Sequence, residues 1–217
     1  MENSNTIERQ ITRSTLRVVS FSALGMAFMF ALPHAHAQSG APPQVPTNLQ
    51  VPDDSQLFLV GRGVGTQNYV CLPSPSVGQV AWTLVTPQAT LFSDDGDQLT
   101  THFFSPNPFE ASSNPFERGI VRATWQDSRD TSTVWARAIA SSLDPKFVAP
   151  GAIPWVLLQV AGAQAGPTGG NTLSETTFIQ RVNTTGGAAP STGCDLPTAI
   201  GNKAFVPYTA DYVFYKN

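Results

Sequence analysis

The segment Val206-Pro207-Tyr208-Thr209-Ala210-Asp211-Tyr212-Val213-Phe214-Tyr215 decides the fold class of this 217-residue chain. β-Branched and aromatic side chains crowd it, and no apolar stripe recurs at helical spacing, so it reads as a strand. Two segments of the same character precede it: Gly151-Ala152-Ile153-Pro154-Trp155-Val156-Leu157-Leu158 and Phe178-Ile179-Gln180-Arg181-Val182-Asn183-Thr184. Gly186-Gly187 and Gly193-Cys194-Asp195 punctuate the stretch before the last of them. Turn residues between short apolar runs are the mark of an antiparallel β protein.

Working outward, strand signals recur at 57–60, 66–72, 80–84, 90–92, 98–103, 120–125 and 133–140. Ser93-Asp94-Asp95-Gly96-Asp97 between two of them is a hairpin signal, because glycine accepts the positive φ of a tight turn. The run Gly61-Arg62-Gly63-Val64-Gly65 reads as a break between 57–60 and 66–72. Asn107-Pro108-Phe109-Glu110 recurs as Asn114-Pro115-Phe116-Glu117, which reads as one surface loop with two exposed phenylalanines. Residues 38–52 carry prolines among small polar residues and read as an extended tether. The expectation is an all-β chain with about nine short strands. It forms a single-domain antiparallel β-sandwich over residues 53–217, with a closed β-barrel as the alternative.

Residues 1–37 read as a secretory signal. Arg9, Arg13 and Arg17 precede a 15-residue apolar run from 18 to 32, and Ala35-His36-Ala37 offers small residues to a signal peptidase. The competing reading is a membrane anchor, but a bilayer span needs about 20 apolar residues. Cleavage leaves 9 of the 12 basic and 13 of the 15 acidic residues, a balance of −4. Such a surface gives no electrostatic footprint for nucleic acid. The two cysteines, Cys71 and Cys194, both lie in the exported part. In an oxidising compartment they are expected to pair, the alternative being two free or metal-bound thiols.

These segments together resemble a family of secreted proteins known as domain of unknown function 3455. The resemblance covers roughly residues 50–217. Besides the C-terminal segments, it rests on Gly63-Val64-Gly65-Thr66-Gln67-Asn68-Tyr69-Val70-Cys71, on Trp82, Leu91-Phe92, Gly96 and His102-Phe103, and on Asp130-Thr131-Ser132-Thr133-Val134. The chain departs from the family pattern after His102, where the duplicated loop stands in place of a short Gly-Pro-x-Trp. The resemblance implies a secreted all-β protein of bacterial or fungal type, and it implies no activity.

The residues themselves narrow the chemistry. Thr66 stands where a dinucleotide-binding glycine pattern needs its third glycine, and no βαβ rhythm surrounds it. His102 is the single histidine after residue 37, and no Gly-x-Ser-x-Gly elbow accompanies it. Asp94, Asp95 and Asp97 suit calcium, yet turn chemistry accounts for them without a metal. No cofactor and no metal are expected. Trp125 and Trp135 flank the polar 126–132 loop, where exposed aromatic faces would stack on a sugar. Asp211, beside Tyr208, Tyr212 and Tyr215, is read as accepting a hydrogen bond from a tyrosine or from Arg181. The candidate ligand-binding residues are therefore His102, Trp125, Trp135, Arg181 and Asp211.

Three functions fit this reading. The first is a non-catalytic exported protein of the periplasm, cell envelope or extracellular space. It would bind a carbohydrate or another envelope component through an aromatic face, with no membrane span after signal cleavage. The second is a secreted hydrolase acting on an extracellular polymer through His102 or a carboxylate. The third is a structural or stress-related envelope protein. A concave polar site around His102 would favour the second, and a flat groove between Trp125 and Trp135 the first.

Overall fold

The computed structural model describes residues 41–217 apart from Val77 and Glu117, so the leader assigned to residues 1–37 lies outside it. Eight antiparallel strands form a closed barrel: β1 (Gln56–Pro73), β2 (Val80–Phe92), β3 (Gln98–Asn107), β4 (Ile120–Asp127), β5 (Thr133–Ser142), β6 (Trp155–Gln164), β7 (Phe178–Gly186) and β8 (Lys203–Lys216). Each strand pairs with its neighbour in sequence, and β8 returns to β1. The barrel, and not the sandwich, is thus the all-β architecture that forms. Its cause is the length of β1, which pairs with β8 from Gln56 to Val70 and with β2 from Arg62 to Pro73. A strand engaged along both edges leaves no open sheet edge to cover. No helix among the described residues is long and apolar enough to cross a membrane.

Among the ten strand-like segments of the sequence two pairs merge, which leaves eight strands. The run at 61–65 does not interrupt β1, and 80–84 continues into 90–92 as β2. Gly61, Gly63 and Gly65 occupy alternate positions on one face, where other groups press against the backbone. A Cβ on Gly63 would lie 2.7 Å from the Tyr212 ring, and one on Gly65 would strike the Gln88 carbonyl and Ala89. Glycine here lets β1 curve round a small barrel. A register shift at Asn68/Tyr69 adds to that curvature.

Inward-facing residues form the main core: Leu91, Trp125, Val134, Ala136, Leu158, Ile179, Tyr208, Tyr212 and Phe214. Leu173, fully buried, reaches into the same cluster from the β6–β7 connection, held there as its N–H donates to Ser132 Oγ at 3.0 Å. A second cluster covers the outer face of β6, β7 and β8, where Trp155, Leu157, Val182, Val213 and Tyr215 meet Leu49 and Val148. The stretch around Leu49 was expected to be an extended tether. It packs instead, ending in a 3-10 turn at Thr47–Leu49, because Leu49 is apolar enough to bury completely. Gln180 fastens it. Its Nε2 donates to the Leu49 carbonyl at 2.6 Å, while its Oε1 accepts from the Tyr215 hydroxyl at 2.6 Å.

Cys71 and Cys194 form a disulfide that joins the end of β1 to the β7–β8 connection. Both phenylalanines of the duplicated loop are exposed as expected, Phe109 at 58%, but the two copies are not equivalent, because Asn107 of the first is buried. In both copies the asparagine Oδ1 accepts the phenylalanine N–H at 3.1 Å, at Phe109 and again at Phe116. Only the first copy is built into the barrel. Asn107 is fully buried and donates to the Ala161 carbonyl, Glu110 accepts two hydrogen bonds from Arg122, and the Phe109 ring meets Trp135 edge-on. Phe116 is 93% exposed.

Candidate functional site

Eight strands make a barrel just wide enough to be filled by side chains or to hold one small ligand. In this barrel the two halves differ. At the end where β1 begins and β8 finishes, Leu91, Val134, Leu173, Ile179 and Phe214 fill it. Toward the other end, alternate small residues on β5, Ala136 and Ala138, leave room. A cavity of about 310 Å³ opens there, bounded by Leu84, Phe104, Ala123, Trp125, Val156 and Leu158, with Arg181 among them. Its mouth lies where β4 and β5 part. They pair only from Ala123↔Ala136 to Gln126↔Thr133, and residues 121–123 and 136–138 line the two sides of the gap.

Three of the five candidate residues meet in this interior. The His102 and Trp125 rings stack with centroids 4.2 Å apart and planes 10° apart, and Tyr212 packs against both. Arg181 donates through Nη2 to the Pro154 carbonyl at 2.9 Å. Its charge is felt at Tyr69, His102, Tyr208 and Tyr212, which places it at the hub of the polar interior. Among the described residues no carboxylate forms a salt bridge with it. Tyr208 and Tyr212 join their hydroxyls at 2.9 Å, and the Tyr69 hydroxyl donates to the Gly187 carbonyl at 2.7 Å. Burial raises all three phenols above the ordinary tyrosine value, so they stay neutral donors.

His102 is locked and neutral. Its Nδ1 lies 2.9 Å from the Thr124 carbonyl, so the neutral ring carries its proton on Nδ1 and donates there. Burial, partly opposed by that carbonyl and reinforced by the Arg181 charge, lowers its pKa from the usual range to about 3. An acid–base catalyst works best with a pKa near the operating pH. His102 is far from that, and no carboxylate among the described residues acts on it.

The other two candidates lie elsewhere. Thr124 faces Trp135 across the β4–β5 ladder while Trp125 faces Val134, so the two tryptophans point to opposite sides of the wall and share no groove. Trp135 sits outside, donating through Nε1 to Ser105 Oγ at 2.9 Å. Asp211 also faces outward. It accepts from Arg62 at 2.6 Å and from Asn183 at 2.7 Å, and not from Arg181 or a tyrosine as expected. Arg62 also binds Asp94 at 2.9 Å, so the second cavity, of about 410 Å³, at these residues presents charges already matched to one another.

The sequence reading missed Phe104, Ala136, Ala138 and Leu158, and the rim arginines Arg122 and Arg137. The alternation Ala136-Arg137-Ala138 was the available signal: small residues at every second strand position leave space on one face. No group of three or more metal-ligating side chains exists among the described residues.

The fold and site define an eight-stranded antiparallel barrel with one half packed and the other opening into a cavity lined in part by Arg181. The chain belongs to the family described as protein of unknown function (DUF3455), whose model matches residues 52–216. No curated protein and no solved structure matches it.

Proposed function

We propose that this chain is an exported, non-catalytic binding protein that takes a small molecule into the hollow half of its barrel. The observation that carries the reading is the cavity of about 310 Å³, apolar in most of its lining and open between β4 and β5. Pockets of this kind, with a few polar groups set among apolar walls, are the usual form of a small-molecule site. Export is supported by the leader-like residues 1–37 and by the Cys71–Cys194 disulfide, a bond that persists in oxidising compartments. The site moves from an exterior aromatic face to the interior because Trp125 and Trp135 do not share a surface. A hydrolytic role for His102 is disfavoured by its low basicity and its lack of an acidic partner.

Ligand-observed NMR on the protein from residue 38 onward tests the reading. Amphipathic fragments of about ten non-hydrogen atoms match the volume, at roughly 30 Å³ for each water-sized group. Ala138→Trp places a bulky ring at the mouth. Fragments that bind the natural protein and lose binding in this variant support an interior site. Hits indifferent to the substitution, or no hits, overturn it.

A further inference from the structure

We infer that the interior site selects an anionic head group, a carboxylate carried on a short apolar body, with Arg181 as its anchor. The inference rests on the interior binding reading and adds the chemistry of the ligand. The lining is apolar apart from three arginines, and the buried polar atoms left without partners among its residues are both donors. Arg181 Nε and Trp125 Nε1 have no acceptor among the described residues. Both atoms are shielded even from a water-sized probe, so an occupant meets Arg181 through the remainder of its partly exposed side chain.

Charge points the same way. Arg122, Arg137 and Arg181 all line the cavity. Glu110 pairs with Arg122 and its charge also acts on Arg137, which donates to the neutral Gln159 side chain at 2.8 Å, so Arg181 is the one of the three that no carboxylate among the described residues engages. This excess stands out in a chain whose net charge is −3. A cleft that concentrates one sign of charge between low-dielectric walls draws in the opposite sign. The guanidinium fork matches the two oxygens of a carboxylate. Leu84, Phe104, Val156 and Leu158 then surround the apolar body. An ammonium head would meet like charge and bring only donors. A hydroxyl would satisfy one N–H and leave Arg181 uncompensated.

Calorimetric titration of the protein from residue 38 onward at pH 7 with octanoate, octanol and octylamine, which share one chain and differ in the head, tests this. Octanoate is expected to bind at least tenfold more tightly than octanol, with octylamine weakest. Arg181→Gln should erase the preference by weakening octanoate and leaving octanol nearly unchanged, and Arg181→Lys should restore part of it. Should Arg181→Gln fail to fold, the ranking of the three probes on the natural protein and the Lys variant still decides. Equal binding of octanoate and octanol, lost in Ala138→Trp, would keep the interior site and overturn the anion. A preference that survives Arg181→Gln would overturn Arg181 as anchor. If fragments bind but none of the three probes does, the head-group assignment fails alone. If nothing binds, the interior site fails with it.

Discussion

His102 lies flat against Trp125, centroids 4.2 Å apart, while its Nδ1 holds the Thr124 carbonyl of the next strand. The stack makes His102 a wall of the interior and removes it from water. Its pKa of about 3 in the folded protein is below the roughly 6.5 of an unfolded histidine. The unfolded chain therefore binds more protons between these values, and stability falls as pH drops through that window.

For a single group the slope approaches 1.4 kcal/mol per pH unit. The carboxyls of Glu110 and Asp130, lowered to about 2, act only below the ordinary carboxylate range. Urea denaturation between pH 6.5 and 5 thus isolates the histidine. His102→Gln should flatten the pH dependence over that window, whatever its effect on stability at pH 7. Equal slopes in the two proteins would mean that His102 takes up a proton without unfolding.

The inward glycines of β1 give a second expectation. Gly65→Ala would drive a methyl group into the backbone of β2 at Gln88, which cannot move aside as a side chain can. Overpacking of this kind costs about 1–3 kcal/mol. Gly63→Ala meets the Tyr212 ring, which can shift, so its cost should be the smaller. Chemical denaturation of both variants checks the order, and a neutral Gly65→Ala would show that β1 does not need this close approach.

Reduction tests the disulfide. Thiol titration under denaturing, non-reducing conditions should find no reactive groups, since no cysteine is free. Cys71 and Cys194 are 123 residues apart. Opening so long a loop removes up to about 4–5 kcal/mol by the loop-closure argument, and typically about 2–4 in practice. A melting temperature unchanged by reductant would contradict it.

The duplicated tetrapeptides should respond unequally. Phe116→Ala should change stability by no more than about 0.5 kcal/mol, as at other exposed positions. Asn107→Ala would leave the Phe109 N–H and the Ala161 carbonyl without their side-chain partner, at about 1–3 kcal/mol. Thermal or urea unfolding of the two variants reads the contrast directly. Similar small effects would return the whole segment to the status of a dispensable surface loop.

That contrast marks the reach of sequence reasoning here. Both copies of Asn-Pro-Phe-Glu have the same local turn chemistry, and that much was legible. What separates them is that Arg122 and Ala161 lie beside the first copy, a tertiary fact with no local signal. The same holds for the barrel. Strand character could be read from Val213, Phe214 and Tyr215, but closure depends on which edges of β1 are used, and 61–65 concealed the strand's length. Of the site, His102, Trp125 and Arg181 were identifiable as unusual residue types. The departure of Trp135 and Asp211 to the outer face follows from simple alternation with the inward Val134, Ala136, Ala210 and Tyr212, whereas the convergence of the other three is a tertiary fact set by strand order.

Closure of the barrel by its first and last strands also sets a timetable. Gln56 pairs with Lys216 and Val70 with Lys203, so the seam joins residues separated by nearly the whole domain. Pairings of such long range are slow, because chain entropy is lost before the contacts that compensate it are made. As the chain leaves the ribosome, β1 has one of its two partners within some twenty residues and must wait for the other until synthesis is all but complete. The growing polypeptide therefore cannot lock early into a closed, rigid body, and any ending short of β8 leaves both β1 and β7 with a bare edge.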